Sequence, residues 1–91
     1  MKKAITGNVK GRVQGVGFRY FVQMEAEKLD LCGYVRNVDD DSVEYFAQGE
    51  EADLNTFITK LKSGPPMARV DKLLNRETAI NDKLRYFTIT H

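Results

Sequence analysis

The sequence is poor in the residues that staple small proteins together. It has one cysteine, Cys32, two prolines, no tryptophan, and a single histidine, His91, in the last position. One cysteine excludes an internal disulfide and a multi-cysteine zinc site, and fits a reducing compartment. An excess of one charge is missing too. Fourteen basic residues against thirteen acidic ones leave a formal charge of +1, so no global field draws in nucleic acid or anionic lipid, and any anion site must be local. No apolar run approaches the roughly eighteen residues of a membrane span. The opening Met1-Lys2-Lys3-Ala4-Ile5-Thr6-Gly7-Asn8 turns polar too early for a signal peptide. These absences predict a cytoplasmic protein with no membrane or nucleic-acid partner, and nothing demands more than a monomer. What is present is an ordinary globular mix, 42% hydrophobic and 30% charged. At 91 residues that predicts one domain, 1–91, with a single small core.

Residue periodicity gives the order of elements. Between Ala4 and Val13, Ile5, Val9 and Val13 alternate with Thr6, Asn8, Lys10 and Arg12, the pattern of a half-buried strand. Gly7 and Gly11 fall on its apolar face, where a helix backbone could pack close. After Gln14-Gly15-Val16-Gly17 the period changes: Phe18, Val22, Ala26 and Leu29 recur at helical spacing, with Gln23, Glu27 and Lys28 on the other face and an end near Asp30. Tyr34 to Val38 and Val43 to Gln48 then read as a hairpin around Asp39-Asp40-Asp41-Ser42. In the returning strand Val43, Tyr45 and Ala47 compete with Phe46 for the buried face. Leu54, Phe57, Ile58 and Leu61 form the stripe of a second helix, ended by Gly64-Pro65-Pro66. Ala68 to Arg76 is a strand in which Val70 and Leu73 break alternation, the mark of a bulge, and Tyr86 to Thr90 is a short last strand. The order β-α-β-β-α-β plus a tail predicts an α+β, ferredoxin-like sandwich: an antiparallel sheet with two helices on one face.

Chemistry concentrates between the first strand and the first helix, at Gln14-Gly15-Val16-Gly17-Phe18-Arg19. Two glycines in four residues permit positive φ, which can turn several N–H groups inward as an anion nest. The helix start adds unpaired N–H groups and the positive end of a dipole. Arg19 lies in the first turn, where a cation opposes that dipole and calls for an anion nearby. Glycines at such a junction often only turn the chain. The nucleotide motifs fail: there is no Gly-Lys-Ser/Thr ending, and Tyr20 stands where a dinucleotide fingerprint needs its third glycine. Topology brings Asn37, late in the second strand, to the same sheet end; its carboxamide suits positioning rather than general-base work, although an asparagine there is also a common turn former.

The run from Gly11 to Arg19, then Gly33-Tyr34-Val35-Arg36-Asn37 and Gly64-Pro65-Pro66-Met67-Ala68-Arg69-Val70, resembles the acylphosphatase family over nearly the whole chain. The resemblance implies a ferredoxin-like sandwich that hydrolyses acyl phosphates, a small-molecule substrate, and uses no cofactor and no metal. It implies that Gln14, Gly15, Val16, Gly17, Phe18 and Arg19 cradle the phosphate, that Arg19 binds it, and that Asn37 orients the attacking water. Asp30 and Asp41 stand where many members of the family have glycine.

Other candidates are weaker. Asp39-Asp40-Asp41 lacks the spaced ligands of a calcium loop and reads as a solvated turn. Cys32 has no adjacent histidine and reads as a small, partly buried thiol, and His91 as a frayed end. Arg12 and Arg36 read as solvated strand arginines. A binding module is the rival class. Its RNA-binding form is disfavoured because Val43-Glu44-Tyr45-Phe46-Ala47 lacks the aromatic signature. A non-catalytic anion sensor would use the same loop.

Overall fold

The computed structural model describes residues 1–39 and 41–90; Asp40 in the acidic turn and the terminal His91 lie outside the described residues. The elements follow in the order β1 (Lys2–Arg12), α1 (Phe18–Lys28), β2 (Cys32–Val38), β3 (Ser42–Glu50), α2 (Glu51–Ser63), β4 (Arg69–Thr78) and β5 (Phe87–Ile89). The five strands form one sheet in the order β4-β1-β3-β2-β5. This is the ferredoxin-like α+β fold. Both helices cover the same face, α1 over β2 and β5, and α2 over β3, β4 and β1.

The sheet is mixed, not purely antiparallel as the pattern of elements suggested. β1 is antiparallel to β3 and β4, and β2 to β3, but β5 runs parallel to β2. The cause is the path between the two edge strands. β4 finishes beside Ala4, at the sheet end where β1 begins. Segment 79–86 crosses at that end, fixed by two 2.9 Å bonds between Gln48 and Asn81, Nε2 to carbonyl and backbone N–H to Oε1. β5 therefore starts where β2 starts and must run alongside it.

The core lies between the sheet and the helices. Ile5, Val9, Val35, Val43, Tyr45, Ala47 and Phe87 from the sheet, with Val13 just past β1, meet Phe18, Val22, Ala26, Leu54, Phe57 and Leu61 from the helices. The face of β3 is thereby decided: Val43, Tyr45 and Ala47 point inward, while Phe46 stacks on Tyr34 outside, ring centroids 5.8 Å apart. Two glycine readings need correction. A Cβ on Gly7 would meet the Leu74 carbonyl at 2.1 Å and the Tyr45 hydroxyl at 2.4 Å, so the missing side chain makes room for a tyrosine from β3, not for a helix. The Tyr45 hydroxyl then donates to Asn75 Oδ1 at 2.6 Å. At Gly11, with φ of 134°, a Cβ would meet the Arg69 carbonyl at 2.2 Å. There the β1–β4 register slips, with Lys10 opposite Lys72 and Gly11 opposite Val70. Asp71 is the extra residue of the bulge expected in β4.

Candidate functional site

The Gly15–Gly17 turn owes its shape to backbone conformations that few side chains tolerate. Gly15 has φ of 72° and Gly17 φ of 76°. A Cβ at either would meet nothing within 4 Å, so conformation and not space calls for glycine there. Gly17 is the N-cap of α1 and supplies no side-chain cap. Among the described residues, the N–H groups of Gly15, Val16, Gly17, Phe18, Arg19 and Tyr20 donate to no backbone carbonyl. Several donors at a helix start, beside the positive end of its dipole, make a seat for a tetrahedral anion.

Arg19 stands beside this seat. Among the described residues its guanidinium has no ion pair or hydrogen bond. Gly15, Gly17, Phe18 and Arg19 line a surface cleft of about 380 Å³, completed by Val13, Tyr20, Gln23 and Ile89. The cleft runs from the glycine turn down between α1 and β5. Gln23, expected on the outer face of its helix, instead donates from Nε2 to the Phe87 carbonyl at 3.2 Å and ties α1 to β5. Ile89 was not singled out in the sequence. Only the parallel docking of β5, with Ile89 opposite Val35, brings it under α1, and no local pattern signals that.

The other expected residues take different positions. Gln14 turns its amide away from the seat: Nε2 donates to the carbonyls of Asp39 at 2.7 Å, Ser42 at 2.8 Å and, longer, Val38 at 3.4 Å. Its side chain therefore straps the glycine loop to the β2–β3 turn. Val16 is partly buried and packs against the core. Asn37 is exposed and does not line the cleft. By strand alternation it shares the helix-covered face with Val35, and it pairs with Val43. β1 and β2 both run antiparallel to β3, so Asn37 reaches the sheet end that carries the loop. It is the residue before Val38, whose carbonyl Gln14 contacts.

The acidic turn is structural among its described residues. Among the described residues of the turn, Asp39 adopts a left-handed φ of 58°, and Asp41, which stands where many family members have glycine, does not have a positive φ. Ser42 Oγ donates to the Val38 carbonyl at 2.6 Å. Arg36 pairs with Glu44 at 2.8 Å on the sheet's outer face. Cys32 is half-buried. No helix among the described residues is long and apolar enough to cross a membrane.

Comparison with known proteins gives the family. Residues 5–89 match the family model described as Acylphosphatase. The acylphosphatase of Bacillus licheniformis is 48% identical over 83 residues, covering 91% of this chain and 92% of its own. That of Bacillus subtilis is 46% identical, covering 91% of each. The crystal structure of acylphosphatase from Bacillus subtilis superposes with a TM-score of 0.93 at 43% identity over 100% of both chains.

Proposed function

The chain belongs to the acylphosphatase family and hydrolyses the carboxyl–phosphate bond of acyl phosphates, and from that premise we propose how its residues divide the work. The turn from Gly15 to Phe18 holds the phosphoryl group by backbone N–H donors. Arg19 binds two of its oxygens through the planar guanidinium fork. Asn37 orients a water for attack on phosphorus. The water oxygen forms the new P–O bond as the bond to the carboxylate oxygen breaks, and the leaving carboxylate keeps the electron pair. Inorganic phosphate remains, and the water's proton passes to phosphate or solvent. A carboxylate leaves readily, so fixed donors around the equatorial oxygens and an aligned nucleophile supply most of what catalysis requires. Gln14 serves by position, holding the glycine loop against the strand end that carries Asn37.

The observation that supports this reading is the conjunction at one helix start of unpaired N–H groups, two left-handed glycines and an unpaired arginine facing an open cleft. The test is phosphate release from acetyl phosphate by the purified protein in the presence of a strong chelator. Turnover that persists in chelator is expected, because the proposed donors are all backbone and side-chain nitrogens. Absence of turnover overturns the reading. Loss in chelator with recovery on added magnesium replaces it with a metal-dependent mechanism.

A further inference from the structure

Building on the proposed division of work, we infer that the cleft between α1 and β5 is the leaving-group site, and that it selects acyl phosphates whose acyl group is neutral, apolar and larger than acetyl. The orientation follows from in-line displacement: attacking and leaving oxygens lie on opposite sides of phosphorus. Asn37 is absent from the cleft lining, whereas Arg19 and the two glycines form its upper end. On this proposal the water sits at Asn37, outside the lining and one step along the face from the Val35–Ile89 pair, and the carboxylate departs into the cleft.

The dimensions and charge of the cleft give the substrate class. Its volume of about 380 Å³ lies within the roughly 300–1,000 Å³ of small-ligand sites, and a phosphoryl group fills only the end at the loop. From Arg19 to Gln23 the wall descends about 6 Å at the helical rise of 1.5 Å per residue, a length that an acetyl group does not use. Among the described residues Arg19 is the one charged residue of the lining, and it belongs to the phosphoryl end. Below it are Tyr20, a residue 75% exposed, Ile89, and Gln23, whose amide nitrogen is already engaged by Phe87. A second carboxylate on the acyl group would lose water there and gain no cation. A flat or branched apolar group would cover Tyr20 and Ile89.

The test compares acetyl, benzoyl and succinyl phosphates with the parent protein and with Tyr20→Ala, Ile89→Ala and Tyr20→Lys. The parent should favour benzoyl phosphate over succinyl phosphate in kcat/KM. Each alanine variant should lower the benzoyl-to-acetyl ratio about tenfold, the scale of one apolar contact in a specificity pocket. Inhibition by inorganic phosphate should stay within about twofold, because the side chains removed supply none of the proposed phosphoryl donors, which are backbone N–H groups and Arg19. Tyr20→Lys should shift preference toward succinyl phosphate; Tyr20 is exposed, so this variant also guards against misfolding as the cause of a loss. If all three substrates are hydrolysed and both ratios stay at parental values in all three variants, the leaving-group site is elsewhere and the inference falls alone. If the parent hydrolyses none of them, the functional reading beneath it falls as well.

Discussion

The two helices begin in opposite ways. α2 starts from Glu50 in an extended conformation and carries Glu51 and Asp53 in its first turn, so its own side chains offset the positive helix end. Glu51 is further held by Lys3 at 2.7 Å. α1 starts from a left-handed glycine, has no acidic residue in its first turn, and places Arg19 there. Neither helix has a side-chain cap. An uncompensated start with an added cation costs about 0.3–1 kcal/mol. One start is neutralised from within; the other is not, which is the basis of the proposed phosphate seat. The sheet separates them, because β1 and β3 are antiparallel and deliver their helices to opposite ends.

The strongest way to break this contrast is Arg19→Ala. It should lower kcat/KM about a thousandfold, equivalent to about 4 kcal/mol, and weaken inorganic phosphate in equilibrium titration. Lysine should restore little, since a point charge lacks the fork. The melting temperature should not fall, because a cation has left a helix N-terminus. Normal phosphate affinity in this variant would mean that the open helix start is not an anion seat. Next in size is Asn37→Ala, for which kcat should drop about a hundredfold, about 3 kcal/mol for one lost positioning group. Phosphate titrations should hardly change, which separates the water side from the seat.

A smaller effect sharpens the comparison at the helices' other ends. α2 stops at Gly64 with φ of 69°, whereas α1 stops through Asp30 at φ of 56°. Asp30 N–H donates to the Glu27 carbonyl and Leu31 N–H to that of Ala26, the paired bonds of a Schellman ending with aspartate in the glycine position. Asp30→Gly should therefore stabilise the fold by about 1 kcal/mol; chemical denaturation measures it, and a lower stability would expose a partner for the carboxylate. The smallest effect belongs to Glu51→Gln, which should slightly lower the melting temperature at neutral pH and leave kcat as it was. The Lys3 ammonium, by hydrogen bond and charge, holds the Glu51 carboxyl below its usual range. That contribution is present above the ordinary carboxylate pKa and disappears as pH falls through the lowered one. Parent and variant should therefore converge in acid. Lys3 is raised in turn by Glu51, so its share is lost only as pH climbs through that raised value.

Local pattern carried much of this structure. Leu54, Phe57 and Leu61 marked α2, the paired glycines marked the left-handed turn before α1, and broken alternation in β4 marked its bulge. Each depends on neighbours within a few residues. The features that were not legible depend on partners far along the chain. Gly7 looks like a helix contact until Tyr45, its register partner on β3, crosses it. The Gln14 side chain has no visible partner until the carbonyls of Asp39 and Ser42 claim its amide. Ile89 has no meaning for the site until β5 lies parallel to β2.

Strand order also sets the time course of assembly. β1, first in the chain, is flanked by β3 and β4, with Ala4 opposite both Gln48 and Thr78. The β2–β3 hairpin needs only a tight turn, but β1 cannot join it before long loops close. Closing loops ahead of the contacts that reward them slows folding. The hairpin carrying Asn37 is accordingly expected to gain order early in refolding, and the strand that delivers the glycine turn later. Substitutions within β1 should then retard refolding relative to their equilibrium cost differently from those in the hairpin, and a pulse-labelling experiment would see two protection times within one sheet.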